Sequence, residues 1–350
     1  MNRVLFRADA GLDVGLGHLN RCVALAAALK ELDADCLFID SADHIVRRVT
    51  AVFGFRIAGV GREIPGSERD LKEVLDLSYR NKCDVAVLDS YYLNSAYLAA
   101  LRKSGLFVVA IDDLARFPFP CQLVVNSGAR AQQLLYTSSS GDTEFLLGPK
   151  YVSLRPEFWD IGRREVHVEV QNVLLTVGGG DPHNLIPRLL VSLDRMSGNF
   201  GVTAMIGPFS QNLDEVEQTV ESCTRMVSLV KDPVLVRDLM LQADLAISAG
   251  GQTLYELAAT GTPTIGLQVA ENQAQNLHAL EAEGVLTVAG SARDSDLLPR
   301  VMAAVQQMVE TSELRKRMSM TGQRLIDGRG ATRVAEFITS HQLHIQRHHE

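Results

Sequence analysis

The stretch Ser248-Ala249-Gly250-Gly251-Gln252-Thr253-Leu254-Tyr255-Glu256 follows an apolar strand pattern, Ala243-Asp244-Leu245-Ala246-Ile247, and opens a helix running toward Ala259. Two adjacent glycines let a backbone turn tightly and approach a ligand with no Cβ in the way. The N–H groups of a helix's first turn suit an anion, so Gly250, Gly251, Gln252 and Thr253 read as a phosphate cradle. Glu256 falls one helical turn further on, where a carboxylate can accept hydrogen bonds from hydroxyls. An anion joined to a polyol points to a sugar nucleotide.

Other turns of the same kind recur. Asp9-Ala10-Gly11-Leu12-Asp13-Val14-Gly15-Leu16-Gly17-His18 also leads from a strand into a helix, but it is not G-x-G-x-x-G, so it is weak ground for a dinucleotide. A helix dipole disfavours the positive form of a histidine at its N-terminus and leaves the imidazole able to take a proton. From position alone, His18 is either that proton acceptor or a capping, exposed residue. Thr176-Val177-Gly178-Gly179-Gly180-Asp181-Pro182-His183-Asn184 repeats strand, glycines and helix start, with Asp181 or Asn184 available as a cap. Gly178 and Gly179 are either further backbone donors beside a pyrophosphate or a tight entry turn. Glu271-Asn272-Gln273-Ala274-Gln275-Asn276 gathers carboxamides, which both donate and accept and suit hydroxyl or acetamido groups, or else cap a helix. Asp112-Asp113 stands at the crevice end of a strand, to position substrate or to cap the next turn. Asp33-Ala34-Asp35 matches a metal-binding D-x-D but precedes its strand, at the wrong end for a crevice.

The elements that would carry these residues alternate. Apolar runs at 4–8, 36–39, 85–88, 107–111 and 123–125 are separated by helix-length segments, the clearest starting at His18 with Leu19, Cys22, Val23, Ala26 and Leu29 on one face. The pattern restarts at 173–177, 202–206, 226–230, 245–247 and 264–267. Strands this apolar, with helices between them, read as parallel and covered on both faces. The expected architecture is α/β: two Rossmann-like open parallel-sheet domains, 1–162 and 170–325, joined by a polar linker 163–169. Crevices lie beyond the carboxyl ends of such strands, so two sheets facing a cleft would hold a ligand between them. A helical tail, 326–350, is expected to pack across the interface.

Composition limits the alternatives. A chain of 350 residues exceeds one typical core, and 46% hydrophobic with 22% charged residues is ordinary globular composition. The net charge of −8, with no basic stripe, argues against a nucleic-acid partner. No apolar leader precedes the first strand and no run approaches the ~20 residues needed to span a bilayer, so neither secretion nor membrane insertion is expected. Cys22, Cys36, Cys83, Cys121 and Cys223 show no C-x-x-C spacing and sit mostly in apolar patterns, which points to reduced thiols and a cytoplasmic protein. His341, His344, His348 and His349 crowd the tail, His344 and His348 at helical spacing, but no carboxylate or cysteine completes a metal set. A solvated terminal helix is the simpler reading, and no metal or other cofactor is expected.

Taken together, the segments resemble a known family. Arg7-Ala8-Asp9 with Gly15-x-Gly17-His18-x-x-Arg21-Cys22 is similar to the opening of the nucleotide-sugar hydrolases of pseudaminic acid biosynthesis, which act on UDP-2,4-diacetamido-2,4,6-trideoxy-β-L-altropyranose. The similarity continues through Leu88-Asp89-Ser90-Tyr91-Tyr92, Ile111-Asp112-Asp113-Leu114-Ala115 and Leu147-Gly148-Pro149-x-Tyr151-x-x-Leu154-Arg155-Pro156-Glu157-Phe158. It resumes at Gly178-Gly179-x-Asp181-Pro182-x-Asn184, Gly250-Gly251 through Glu256, and Glu271-Asn272-Gln273.

The resemblance implies a fold of the glycosyltransferase-B type and metal-independent hydrolysis of a UDP-sugar with inversion, His18 being the catalytic residue. It implies sugar contacts from Gly15, Gly17, Arg21, Asp89, Tyr91, Asp112, Asp113, Arg155, Asn272 and Gln273. Nucleotide contacts fall to Gly178, Gly179, Asp181, Gly250, Gly251, Gln252, Thr253 and Glu256. Two departures bear on the sugar: Ser90 stands where the family often has histidine, and Asn126-Ser127-Gly128 replaces the more usual pattern. The alternatives are a transferase of the same fold that uses an acceptor hydroxyl in place of water, and a sugar-nucleotide-binding regulator without turnover, which would not need His18.

Overall fold

The computed structural model describes residues 3–11, 14–40, 45–60 and 64–347. Two compact units emerge, Met1–Trp159 with Gly328–Glu350, and Asp160–Asp327. In chain order the first contains β1 (Arg3–Ala8), α1 (Gly17–Glu31), β2 (Asp35–Asp40), α2 (Ile45–Val52), β3 (Arg56–Val60), α3 (Glu68–Arg80), β4 (Val85–Asp89), α4 (Ser95–Lys103), β5 (Phe107–Ile111), β6 (Leu123–Asn126) and β7 (Glu144–Leu147). The second runs β8 (Asn172–Thr176), α5 (Leu185–Asp194), β9 (Gly201–Ile206), α6 (Leu213–Ser222), β10 (Val227–Lys231), α7 (Arg237–Gln242), β11 (Leu245–Ala249), α8 (Thr253–Ala259), β12 (Thr264–Gln268), α9 (Ala274–Ala282), β13 (Leu286–Ser291), α10 (Leu297–Glu310) and α11 (Ser312–Leu325). The last helix, α12 (Gly330–Arg347), belongs to the first unit.

Both sheets are parallel. Their strand orders are β3-β2-β1-β4-β5-β6-β7 and β10-β9-β8-β11-β12-β13. In each, the order reverses beside the first strand, and that reversal opens a crevice at the carboxyl ends of β1 and β4, and of β8 and β11. The glycine-bearing turns after β1, β8 and β11 therefore flank these two switch points, where the sequence placed them.

Burial explains the strand patterns. Val4, Leu5, Phe6 and all of β4, β5, β6 and β11 are buried, as strands covered by helices on both faces must be. Helix α1 departs from the one-faced pattern expected of it. Residues from His18 to Leu29 are almost all buried, with Asn20 half-buried, because α12 packs on the side of α1 away from the strands.

The polar stretch 163–169 is tied to the second unit by hydrogen bonds. The Arg164 guanidinium donates to the carbonyls of Met240 at 3.2 Å and Thr260 at 3.4 Å and to Thr262 Oγ1 at 3.1 Å. Arg315, fully buried, donates to the carbonyls of His167 and Val168 at 2.7 Å each. A run of charged residues reads as solvated when the carbonyls that will receive its guanidinium group lie more than seventy residues away in sequence. In the tail, His341 Nδ1 lies 2.9 Å from the Phe337 carbonyl. The side chain of His344, and all of His348 and His349, fall outside the described residues.

Among the described residues no helix is long and apolar enough to cross a membrane. The five cysteines are free, and burial pushes the thiols of Cys36 and Cys121 up to about 12.

The turn after β8 rests on Gly207. A Cβ there would lie 2.2 Å from the Gly178 carbonyl oxygen and 2.5 Å from the Gly179 carbonyl carbon, both backbone atoms that cannot swing aside. Gly207→Ala is expected to destabilise the protein by roughly 1–3 kcal/mol, the usual cost of overpacking; an unfolding midpoint in urea equal to wild type would show that the turn moves freely.

Candidate functional site

At the first switch point β4 delivers Asp89 as its last residue and α1 delivers His18 and Arg21 from its first and second turns. Asp89 is completely buried. Its Oδ1 pairs with His18 Nδ1, and its two oxygens take a forked contact from Arg21, Nε to Oδ2 and Nη2 to Oδ1 at 2.7 Å. A carboxylate only accepts, so Nδ1 carries a proton, and in the neutral imidazole the lone pair then falls on Nε2. Arg21 Nη2 sits 3.3 Å from that Nδ1 and cannot donate to it. Nε2 has no partner among the described residues, and it is not one of the sealed unpaired atoms.

Arg21 continues outward to Asp113, with Nη1 to Oδ1 at 2.9 Å and Nη2 to Oδ2 at 3.0 Å, and Tyr91 donates its hydroxyl to the same Oδ2 at 3.0 Å. The Tyr91 ring meets the His18 ring edge-on, centroids 4.6 Å apart. The imidazole is thus fixed by a carboxylate at one nitrogen and by an aromatic ring across its face. Burial alone would push the Asp89 carboxyl up, but the Arg21 charge, then the imidazole and the hydrogen bonds of both, outweigh it and hold it down at about 2. Burial and the Asp113 charge push the Tyr91 hydroxyl up.

Five residues singled out in the sequence therefore meet: His18, Arg21, Asp89, Tyr91 and Asp113. Gly15 and Gly17 shape the entry to α1, Gly15 at φ +69°. Other expected sugar contacts are placed differently. Asp89 lies behind the histidine, with both oxygens already taken by His18 and Arg21. Asp112 Oδ1 accepts from the N–H groups of Leu114 at 2.9 Å and Ala115 at 2.7 Å and from the Tyr136 hydroxyl at 2.8 Å, so it closes its own turn. Arg155 is buried, with its guanidinium 3.1 Å from Glu157 and over the Phe158 ring. The two departures from the family pattern are likewise engaged locally. Ser90 Oγ accepts from Tyr92 N–H at 3.1 Å, and Asn126 bonds Gly128 N–H and the Tyr136 hydroxyl at 2.8 Å each. Asp35, the second acid of the D-x-D, is paired with Arg3 and Arg56.

At the second switch point the turn Gly250-Gly251-Gln252 leads from β11 into α8, and among the described residues the N–H groups of Gly251 and Thr253 donate to no protein acceptor. A Cβ on Gly251 would meet nothing within 4 Å, whereas one on Gly250 would lie 2.8 Å from Gln273 Cβ and Leu277. Gly251 thus faces open space and Gly250 faces packing. Glu256, one turn into α8, is 4% exposed. Gln273 spends its carbonyl oxygen on three backbone N–H groups, Val269 at 2.9 Å, Gly250 at 3.3 Å and Ala270 at 3.3 Å. It braces the turn, while its neighbour Asn272 is exposed. Asn276 Nδ2 holds the Gly250 carbonyl at 3.2 Å and is held in turn by the Tyr255 hydroxyl at 2.5 Å. The sequence showed the carboxamides but not this use of them; Asn276 three residues after Gln273 on a helix was the available signal.

Beside this turn, Gly178 adopts φ +90° and Gly179 accepts from Phe209 N–H at 2.8 Å. Asp181 accepts from Leu185 and Ile186 N–H at 2.8 Å each and so caps α5 with both oxygens, while Asn184 makes no cap bond. Among the described residues no group of three or more His, Cys, Asp or Glu side chains could hold a metal ion.

No protein-family model matches the chain. Curated proteins are similar to it. The uncharacterized protein MJ1062 of Methanocaldococcus jannaschii is 24% identical over 285 residues, 77% of this chain and 56% of that protein. Spore coat polysaccharide biosynthesis protein SpsG of Bacillus subtilis is 24% identical over 340 residues, 95% of this chain and 96% of its own. The pseudaminic acid cytidylyltransferase and UDP-2,4-diacetamido-2,4,6-trideoxy-beta-L-altropyranose hydrolase of Helicobacter pylori is 26% identical over 280 residues, 79% of this chain and 46% of that protein. The chain thus spans about half the length of the first and third of these. Among solved structures, Acinetobacter baumannii MurG superimposes with a TM-score of 0.68 at 14% identity, covering 97% of this chain and 99% of that one. The S. aureus MnaA-UDP co-structure gives 0.68 at 12%, covering 98% and 97%. The fold is of the glycosyltransferase-B type, and the Helicobacter pylori relative carries the name of the pseudaminic acid hydrolases that the motifs resemble.

Because the folded Asp89 pKa lies below its unfolded value, its stabilisation is complete above about pH 4 and is lost as pH falls toward 2. Across that window it amounts to roughly 2 kcal/mol. Asp89→Asn is expected to start less stable and to lose less stability on acidification; urea unfolding at pH 5, 4 and 3 with parallel curves for the two proteins would remove Asp89 from the charge network.

Proposed function

We propose that the chain is a cytoplasmic hydrolase of a UDP-linked diacetamido-trideoxyhexose, releasing UDP and the free sugar for nonulosonic acid biosynthesis of the pseudaminic type. The observation that carries this reading is the Asp89–His18 pair: a carboxylate fixes Nδ1–H and leaves Nε2 bare at a switch-point crevice. The 26% identity to the Helicobacter pylori protein supports the choice of substrate.

In this reading, water attacks the anomeric carbon while the bond from that carbon to the β-phosphate oxygen breaks, and its electron pair leaves with UDP. His18 Nε2 takes the proton that the water loses. Asp89 orients the imidazole and stabilises the imidazolium that forms, and Arg21 keeps Asp89 ionised throughout. Attack opposite the leaving group inverts the anomeric centre. On the second unit, the Gly250–Thr253 turn supplies backbone N–H donors to the pyrophosphate, which gains charge as the bond breaks. Glu256 takes the ribose hydroxyls.

The test is acceptor-free release of UDP from a panel of UDP-linked diacetamido-trideoxyhexoses. His18→Asn is expected to lower kcat by about 10²–10⁴-fold, the range for an acid–base group, with UDP affinity nearly unchanged. Parallel loss of binding and turnover would make His18 a structural cap, and tight UDP binding with no release by wild type would turn the search to acceptors. Glu256→Ala is expected to weaken UDP by about 10–100-fold, the worth of a hydrogen bond to a charged group; calorimetry giving wild-type affinity would take Glu256 out of the ribose site.

A further inference from the structure

Beside the first switch point lies a buried ionic chain that the proposed reaction leaves unused. Arg7, on β1, is 6% exposed; its Nη1 pairs with Asp9 Oδ1, and its Nε lies 3.5 Å from Asp70 Oδ1 on α3. Asp70 is itself closed by Gly66 N–H at 2.9 Å and the Tyr97 hydroxyl at 3.0 Å. Every oxygen of Asp70 is thus satisfied. Asp9 differs: it is 7% exposed, and its Oδ2 is sealed from solvent with no hydrogen-bond partner. Buried carboxylate oxygens are normally satisfied, and one left unpaired in a folded chain calls for an explanation.

Position supplies one. Asp9 follows the last residue of β1 and donates its own N–H to the Asp89 carbonyl at 3.1 Å, so it sits at the same reversal of strand order as the histidine's carboxylate. Burial first, and then Asp89 with Asp9, push up the thiol of Cys22, which lies one helical turn after His18. Charge identifies the ligand group. Asp9, Asp70, Asp89 and Asp113 stand against Arg7 and Arg21, four carboxylates to two guanidinium groups. Such a site repels a phosphate and favours a neutral group rich in donors.

We propose that Asp9 is a sugar-recognising residue: Arg7 fixes one carboxylate oxygen, and the other accepts a hydrogen bond from a hydroxyl or amide N–H of the substrate's sugar. This rests on the reading of the chain as a UDP-sugar enzyme. Oδ2 is sealed, so the sugar reaches it by displacing what covers it, and the gain is the hydrogen bond that this oxygen lacks. Asp9→Asn keeps an oxygen for Arg7 and turns the other acceptor into a donor.

The test uses His18→Asn protein, in which affinity for intact UDP-2,4-diacetamido-2,4,6-trideoxy-β-L-altropyranose can be measured by calorimetry without turnover. Adding Asp9→Asn is expected to weaken that ligand by tenfold or more while UDP alone binds as before. Asp70→Asn, added instead, strips Arg7 of its other carboxylate and reports the cost of damaging the ion chain. It is expected to lower the thermal midpoint by at least as much while keeping the preference for UDP-sugar over UDP. An unchanged preference in the Asp9 variant, as expected if only a trapped water meets Oδ2, or an equal loss in the Asp70 variant, would overturn the inference. If the His18→Asn protein binds neither UDP nor the UDP-sugar, the reading of function fails and takes this inference with it, whereas UDP binding with an unchanged Asp9 preference sinks the inference alone.

Discussion

The buried carboxylate of Asp89 organises the first unit's chemistry. A charge with no exposed surface survives only if its surroundings replace water, and here they do so with a guanidinium fork and an imidazole N–H. Each partner is constrained in return. Arg21 must lie one turn beyond His18 on α1, so both reach the same carboxylate, and α1 must be held against β4 closely enough for them to do so. That hold comes from the packing of α12 on the other side of α1, which accounts for a helix buried nearly all round. The histidine's tautomer is therefore a consequence of the fold rather than of the turn that contains it.

The second unit reaches an open pair of N–H groups by other means. Its turn carries no buried ion pair and is instead shaped by a carboxamide. Gln273 fills its carbonyl oxygen with three N–H groups from two loops, which locks the end of β11 to the end of β12. Gly250 is needed because that brace stands where a Cβ would go, and Gly251 because the ligand side must stay clear. The two adjacent glycines thus serve opposite purposes. Helix α8 is pressed from behind by α11, where Gly322 approaches the Ala258 carbonyl closely enough that a Cβ would lie 2.9 Å from it.

The sequence exposed periodicity and turn chemistry well. Parallel strands, their alternation with helices, and the glycine turns at the switch points all follow from local pattern, because each is decided within a window of ten or so residues. It exposed partners poorly. Asp112 and Asp113 are adjacent and chemically identical, yet one closes its own turn with Tyr136 and the other faces Arg21 and Tyr91. Only the direction of each side chain from the end of β5 separates them. Asp181 and Asn184 were equal candidates for the α5 cap until Asn184 took φ +49°, a left-handed conformation from which it makes no cap bond, and Asp181 capped with both oxygens. The polar stretch holding Arg164 reads as a linker because the carbonyls that Arg164 serves are far away in the chain. What remained hidden was pairing at long sequence separation.

The proposed cleavage of a sugar nucleotide would make two opposite electrostatic demands. As the anomeric carbon parts from phosphate, positive charge grows on the sugar ring and negative charge on the pyrophosphate. Carboxylates in excess suit the first, and backbone N–H groups with no competing carboxylate suit the second. The first switch point holds Asp89, Asp113 and Asp9 around Arg21 and Arg7. At the second, Asp181 is spent on a helix cap and Glu256 is set a turn back from the glycines. Exchanging these roles would place phosphate against carboxylates and an electron-poor ring against N–H donors. In the proposed reading, this charge arrangement supports sugar at the first unit's switch point and nucleotide at the second's. It leaves the choice between water and an acceptor hydroxyl to whatever group stands beside His18 Nε2, since either nucleophile would surrender its proton to the same nitrogen.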